Sequence, residues 1–217
     1  MENFYPAFIR LSGRRAVVIG GGPVASRKAA TLLAAGASVT IISPSLSPAL
    51  QRLADEGLVS YENRNYREGD LGGAFIAVAA TDDPEVNLMA AGEAERLSIL
   101  INCANPPDAG NFIVPSSVKK GSLTVAVSTG GISPALSKKL RRDLDLFIGA
   151  GYGPFLEFLK EAREHVRDVL QDERQRSEAM EELINSDALM EFRSNPPEVA
   201  FPAARERLEA IIKRLKK

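Results

Sequence analysis

The stretch Val17-Val18-Ile19-Gly20-Gly21-Gly22-Pro23-Val24-Ala25 decides how this chain is read. Three apolar β-formers run into a glycine turn, and the turn runs into a helix whose apolar positions include Ala29, Leu32 and Leu33. Gly20, Gly22 and Ala25 fit G-x-G-x-x-G/A, the dinucleotide fingerprint. Each small residue has a physical task. Gly20 permits the tight turn out of the strand, Gly22 lets a pyrophosphate approach the backbone without meeting a Cβ, and Ala25 lets helix and strand pack closely. The free N–H groups and the positive end of the helix then face the phosphates. The alternative for so short a motif is a purely structural glycine turn.

Working outward, strands and helices alternate. Arg14 to Gly20 reads as a strand, and Gly36 closes the helix after it. Ser38 to Ser43 is a second strand, rich in β-branched residues. A helix to Glu56 and a short strand over Leu58 to Glu62 follow. Ala74 to Ala80 is a continuous apolar run, as a strand covered on both faces should be. Asp82, Asp83 and Pro84 open a helix to Leu97, and Ile99 to Cys103 is a further buried strand. Phe4 to Leu11, ahead of the first strand, is expected to pack as an extended segment under the sheet.

This alternation predicts an α/β fold with a doubly wound parallel sheet of the Rossmann type. Ligands of such sheets bind beyond the carboxyl ends of the strands. That rule selects four loops: Gly20 to Val24, Ser43 to Ser45, Thr81 with Asp82, and Asn102 to Asn111. One expected feature is missing. The second strand ends Ile42-Ser43-Pro44-Ser45 without the acid that binds ribose hydroxyls in many such sites. A serine hydroxyl can bond a ribose, and without an acid a 2′-phosphate is not repelled, so spacing alone leaves NAD and NADP open.

After residue 110 the pattern changes. Asn111 to Val114 and Leu123 to Ser128 read as two strands joined by a turn at Lys119 to Gly121. The turn Ser128-Thr129-Gly130-Gly131-Ile132-Ser133-Pro134 then leads into a helix, with Ser133 as N-cap and Pro134 at the first helical position. Leu136, Leu140, Leu144 and Phe147 lie on one face, and Lys138, Lys139, Arg141 and Arg142 lie on the other. The basic cluster reads either as a solvated face or as a site for a polyanionic small molecule beside the glycine-rich turn. Gly149 to Pro154 marks a boundary, beyond which the chain is helical, with a stripe of Phe155, Phe158, Leu159, Ala162, Val166 and Val169. Amphipathic segments over Arg174 to Ser186 and Pro202 to Leu215 follow. His165 reads as an exposed helix residue. The expected organisation is a Rossmann domain over residues 1–112, a dimerisation region over 113–150 and a helical C-terminal domain over 151–217.

Composition narrows the class. The chain has 217 residues, 45% of them hydrophobic and 25% charged, with a net charge of −1. No global field favours nucleic acid or membrane. One cysteine, Cys103, excludes an internal disulfide framework and suits a reducing cytoplasm. One His and one Cys leave no set of ligands for a structural zinc, and no metal site is expected. No apolar run is long enough to span a bilayer. Met1 to Pro6 lacks a charged segment followed by an apolar one, so no signal peptide is read.

Taken together, VVIGGGPVASRK (17–28), AATDD (79–83), Asn102 followed by FIVPS (112–116), and VAVSTGGISP (125–134) resemble the precorrin-2 dehydrogenase / sirohydrochlorin ferrochelatase family, the first module of siroheme synthase. The likeness covers residues 3–150, and the helical remainder fits loosely. It implies a homodimer that oxidises precorrin-2 to sirohydrochlorin with NAD in siroheme synthesis, and in some members inserts ferrous iron. It places NAD contacts at Gly22, Pro23 and Val24 and at Ser43, Pro44 and Ser45. Together with the strand-end rule, the full cofactor set is then these residues with Gly20, Thr81, Asp82 and Asn102. The substrate, a tetrapyrrole rich in carboxylates, suits Lys138, Arg141 and Arg142 beside Ser128 and Thr129.

The departures from the family pattern carry information. The family has an aspartate three residues after the asparagine at Asn102, and this chain has Asn105 there. An amide cannot accept a proton at neutral pH. Hydride transfer needs mainly alignment of two bound molecules, whereas metal insertion requires two pyrrole protons to leave, so the change bears harder on the chelatase. Asp108, three residues further on, is the candidate substitute between stiff proline neighbours. Thr129 stands where some members carry a phosphorylatable serine. Two other readings compete with the dehydrogenase: a bifunctional dehydrogenase and ferrochelatase, and a non-catalytic NAD-sensing domain.

Overall fold

In the computed structural model, which describes residues 4–216, β1 (Arg15–Ile19) is the central strand of a five-stranded parallel sheet. The order is β3-β2-β1-β4-β5, formed with β2 (Ser38–Ile42), β3 (Ser60–Glu62), β4 (Ile76–Ala79) and β5 (Leu100–Cys103). Val18 lies opposite Ile41 on one side and Val78 on the other. The central strands are apolar on both faces because both faces are covered. On one face Val18, Ile41 and Val78 pack with Ala25, Ala29 and Leu32 of α1 (Pro23–Ala34). On the other, Val17, Ala77 and Ile101 pack with Ala90, Ala91 and Ala94 of α3 (Pro84–Arg96). Alanine at most of these positions lets the helices lie close to the sheet. α2 (Pro48–Asp55) buries Leu50 in the first of these cores.

The chain divides into two units, Met1–Val114 and Pro115–Lys217. The second begins with an antiparallel hairpin of β6 (Ser116–Lys120) and β7 (Leu123–Val127). It continues through α4 (Pro134–Ile148) into four helices: α5 (Tyr152–Val169), α6 (Glu173–Asn185), α7 (Ala188–Ser194) and α8 (Pro197–Leu215). The four share a core in which Phe158 and Phe192 each lie within 6 Å, centroid to centroid, of Phe201 at steep angles.

Three expectations are corrected. The first strand of the hairpin is Ser116–Lys120 and not 111–114. The backbone N–H groups of Asn111 and Phe112 instead donate to Ile101 O at 3.0 and 3.4 Å, which ties that segment to β5, and Pro115 interrupts it. Residues 4–10 do not pack under the sheet: Tyr5 is 90% and Phe8 75% exposed, and only Leu11 joins the core. His165 is half-buried, with Nε2 2.7 Å from Glu209 Oε1 across α5 and α8. The signal-peptide reading rests partly on residues 1–3, outside the described residues. Among the described residues no helix is long and apolar enough to cross a membrane.

Candidate functional site

The carboxyl edge of the sheet gathers the loops that the sequence singles out, and each of the three glycines there answers to a different constraint. Gly20 has φ +116°, and a Cβ on it would stand 2.8 Å from the Ala80 carbonyl carbon. Gly21 faces the loop after β2, where a Cβ would lie 2.7 Å from Ser43 Oγ and closer still to Ser45 O. These two glycines are required by the fold itself. Gly22 is different. It has ordinary extended backbone, and a Cβ on it would meet no protein atom within 4 Å. Nothing in the chain forbids a side chain there, so open space lies where a ligand would approach. Gly22 is also the N-cap of α1 and supplies no side chain to the free N–H groups of the first turn. Pro23 fills the first helical position, and Val24 is partly buried against the sheet. An uncapped helix N-terminus with a bare Cα in front of it fits the pyrophosphate of a dinucleotide.

The loop after β2 is held in shape by its own hydrogen bonds. Ser43 is buried, and its hydroxyl donates to Ser45 O at 2.8 Å. The Ser43 proton is therefore committed within the chain, which leaves Pro44 and Ser45 as the exposed residues of this loop. Ser47 N donates to Gly21 O at 2.8 Å, which fastens the loop to the glycine turn.

On the other side of β1, Thr81 and Asp82 follow β4. Asp82 is exposed, whereas Thr81 is locked by Asn87 of α3. Asn87 is wholly buried and uses both ends of its amide. Its Oδ1 accepts from Thr81 N at 3.2 Å and Thr81 Oγ1 at 2.9 Å. Its Nδ2 donates to Thr81 O at 3.1 Å and Asn105 O at 2.7 Å. One side chain thus joins the loop after β4 to the loop after β5. Asn87 and Gly21 are absent from the set read out of the sequence. The available signal for Asn87 is a polar residue in register with Ala90, Ala91 and Ala94 on the buried stripe of α3.

Beyond β5, Asn105 is exposed and its backbone carbonyl is the group held by Asn87. The Asn105–Pro106 peptide is cis. Asp108 is exposed in a short 3₁₀ turn, Pro107–Ala109. Asn102 lies half-buried on the α1 face of β5 and accepts from Lys28 Nζ at 2.7 Å. Cys103 is buried, and burial pushes its thiol above the ordinary range.

In the second unit, the turn before α4 is also self-satisfied. Ser133 caps the helix by accepting from Leu136 N at 3.2 Å. Thr129 Oγ1 donates to Ser133 O and accepts from Ser133 N, both at 3.1 Å. Ser128 is exposed and accepts from Gly130 N at 3.0 Å. Lys138, Arg141 and Arg142 are exposed and occupy one side of α4 at i, i+3 and i+4. Lys139 is spent on Asp143 at 2.6 Å. Asp145 pairs with Lys120 at 2.8 Å, and that bond holds its carboxyl below the usual range.

Comparison with known proteins agrees with this geometry. A family model described as "Putative NAD(P)-binding" matches residues 7–116, and one described as "Sirohaem biosynthesis protein central" matches residues 120–145. The siroheme synthase of Methylobacillus flagellatus is 41% identical over 171 residues, covering 79% of this chain and 37% of that protein. The siroheme synthase of Thioalkalivibrio sulfidiphilus is 34% identical over 210 residues, covering 97% of this chain and 42% of that protein. This chain therefore spans only part of the length of these relatives. A solved structure described as "SirC, precorrin-2 dehydrogenase" is similar over 95% of this chain and 100% of its own, with a TM-score of 0.77 and 27% identity. The chain belongs to the NAD(P)-binding family whose model spans its parallel sheet, in the form that is followed by the sirohaem-biosynthesis central segment.

Proposed function

We propose that this protein is an NAD-dependent dehydrogenase that oxidises precorrin-2 to sirohydrochlorin in siroheme biosynthesis. The observation that carries the reading is the likeness to SirC over 95% of this chain and all of that one, joined to an open, uncapped cradle at Gly22. NAD, when bound, supplies the acceptor for the hydride, and a proton leaves to solvent. The chain's own part is to bind and align. Gly20, Gly22, Pro23 and Val24 offer backbone to the pyrophosphate, Pro44 and Ser45 border the adenosine ribose with Ser43 shaping the turn, and Thr81, Asp82 and Asn102 border the far half. Alignment of two bound molecules can supply much of the rate of a hydride transfer.

The substrate's carboxylates meet Lys138, Arg141 and Arg142, whose charges are not used up in ion pairs among the described residues. Ser128 and Thr129 shape the turn beside them. Asn105 and Asp108 stand on the loop where the family places its acid. Asn105 offers no base, which favours dehydrogenation over metal insertion, with ferrous iron a substrate only if Asp108 takes the proton.

The protein works as a homodimer in the cytoplasm. Residues 113–150 form the dimerisation region, and residues 151–217 form a helical domain. Support comes from α4, where Leu136, Leu140 and Phe147 are exposed along one face, Phe147 to 65%. The direct test of the activity is anaerobic turnover of precorrin-2 with NAD.

A further inference from the structure

On the α1 face of the sheet, the lysine that closes the 17–28 stretch turns its charge inward. Lys28 leaves the second turn of α1, and its Nζ donates to Asn102 Oδ1 on β5 at 2.7 Å. Leu100 and Ala104 belong to the core on that face, so Asn102, between them, points to the same side. Asn102 is itself oriented: its Nδ2 donates to Phe112 O at 3.2 Å. Reversing the amide would set donor against donor and acceptor against acceptor, so Oδ1 is fixed toward Lys28.

The charge of Lys28 is under-compensated. Among the described residues, no carboxylate oxygen lies within 4.0 Å of it, and its one partner is a neutral amide. An ammonium has three donors, and one is used. Burial, followed by the charge of Arg27, pushes its pKa below the ordinary lysine range. A lysine whose stem merely covers the core carries its head to water. This one is half-buried, its Nζ held at Asn102, two residues before the loop from Ala104 to Asn111 that carries Asn105 and Asp108. A half-buried cation with spare donors and no counter-charge favours an incoming anion.

We propose that Lys28, oriented by Asn102, is a carboxylate-binding residue of the substrate site and takes one acidic side chain of the tetrapyrrole. The proposal rests on the reading of the substrate given above. It assigns a tetrapyrrole contact to the nucleotide-binding unit itself, apart from the basic face of α4.

The test uses the whole protein, with sirohydrochlorin and NAD titrated separately by calorimetry into wild type, Lys28→Met and Lys28→Arg. Lys28→Met keeps the apolar stem and removes the charge. It is expected to weaken sirohydrochlorin binding about tenfold or more, the scale of one charge-assisted hydrogen bond. NAD affinity should be unchanged, and Lys28→Arg should retain most of the tetrapyrrole affinity. Thermal unfolding accompanies each variant. If Lys28→Met does not fold, Lys28→Gln reads the same point, since it keeps a polar donor toward Asn102 Oδ1 and removes only the charge, and the same loss is expected. Wild-type tetrapyrrole affinity in the charge-free variant overturns the proposal. So does a loss confined to NAD, which would assign Lys28 to the pyrophosphate. Wild type that binds no sirohydrochlorin overturns the proposal and the functional reading together, whereas binding that ignores residue 28 overturns the proposal alone.

Discussion

The amide of Asn87 donates to the backbone oxygen of Asn105 over 2.7 Å, and so ties helix α3 to the loop that carries Asn105 and Asp108. The same side chain holds Thr81 through its other atoms. Neighbouring loops on the carboxyl edge of the sheet therefore share one buried anchor. Replacing Asn87 with Leu leaves Thr81 N–H and two carbonyls without that partner. An unsatisfied buried polar group costs about 1–3 kcal/mol, so urea unfolding should show a loss of at least that size. NAD affinity should fall as well if Thr81 borders the cofactor as proposed. A stable variant with unchanged NAD binding would remove Asn87 from the site.

The adjacent glycines Gly21 and Gly22 should separate folding from binding. Gly21→Ala puts a Cβ against Ser45 O and Ser43 Oγ, so it should lower the unfolding midpoint. The Cβ of Gly22→Asp meets no protein atom within 4 Å, so the fold should survive. Its carboxylate would stand where the pyrophosphate approaches, and like charges there repel. Calorimetry should show NAD binding weakened in folded Gly22→Asp, and unchanged affinity would take the fingerprint out of the account.

The basic side of α4 is tested by changing Arg141 and Arg142 together to Ala. Both are exposed, so stability should hardly change. The Michaelis constant for the tetrapyrrole should rise while that for NAD holds. Unaltered constants at moderate salt would show that the cluster is a solvated face.

Metal insertion should be weak or absent in the wild type and should rise in Asn105→Asp. A positioned general base contributes on the order of 10²–10⁴-fold. The dehydrogenase rate should move less. Asp108→Asn is the control: if Asp108 has taken the proton-accepting role, that variant loses chelation and Asn105→Asp adds little. Robust wild-type insertion that survives Asp108→Asn would put the chemistry on another loop.

The parallel sheet was legible because its strands are apolar on both faces and its turn glycines are unavoidable. Gly20 meets the Ala80 backbone so closely that a Cβ does not fit there. Local pattern served less well where a partner distant in sequence decides. Asn111 to Val114 looks like a strand, yet its backbone bonds go to Ile101. Phe4 and Phe8 look like core residues, and both are exposed. Asn87 and Lys28 belong to the edge of the sheet only through Asn105 and Asn102, eighteen and seventy-four residues away in sequence. No periodicity reports such a pairing.

The most direct measurement is an anaerobic assay of the purified protein with precorrin-2 and NAD, followed by absorbance for NADH and for the macrocycle. The expected result is stoichiometric formation of NADH and sirohydrochlorin, abolished without NAD and strongly reduced in Gly22→Asp. Tight binding of NAD with no oxidation of precorrin-2 would contradict the account and leave a nucleotide-sensing module in its place.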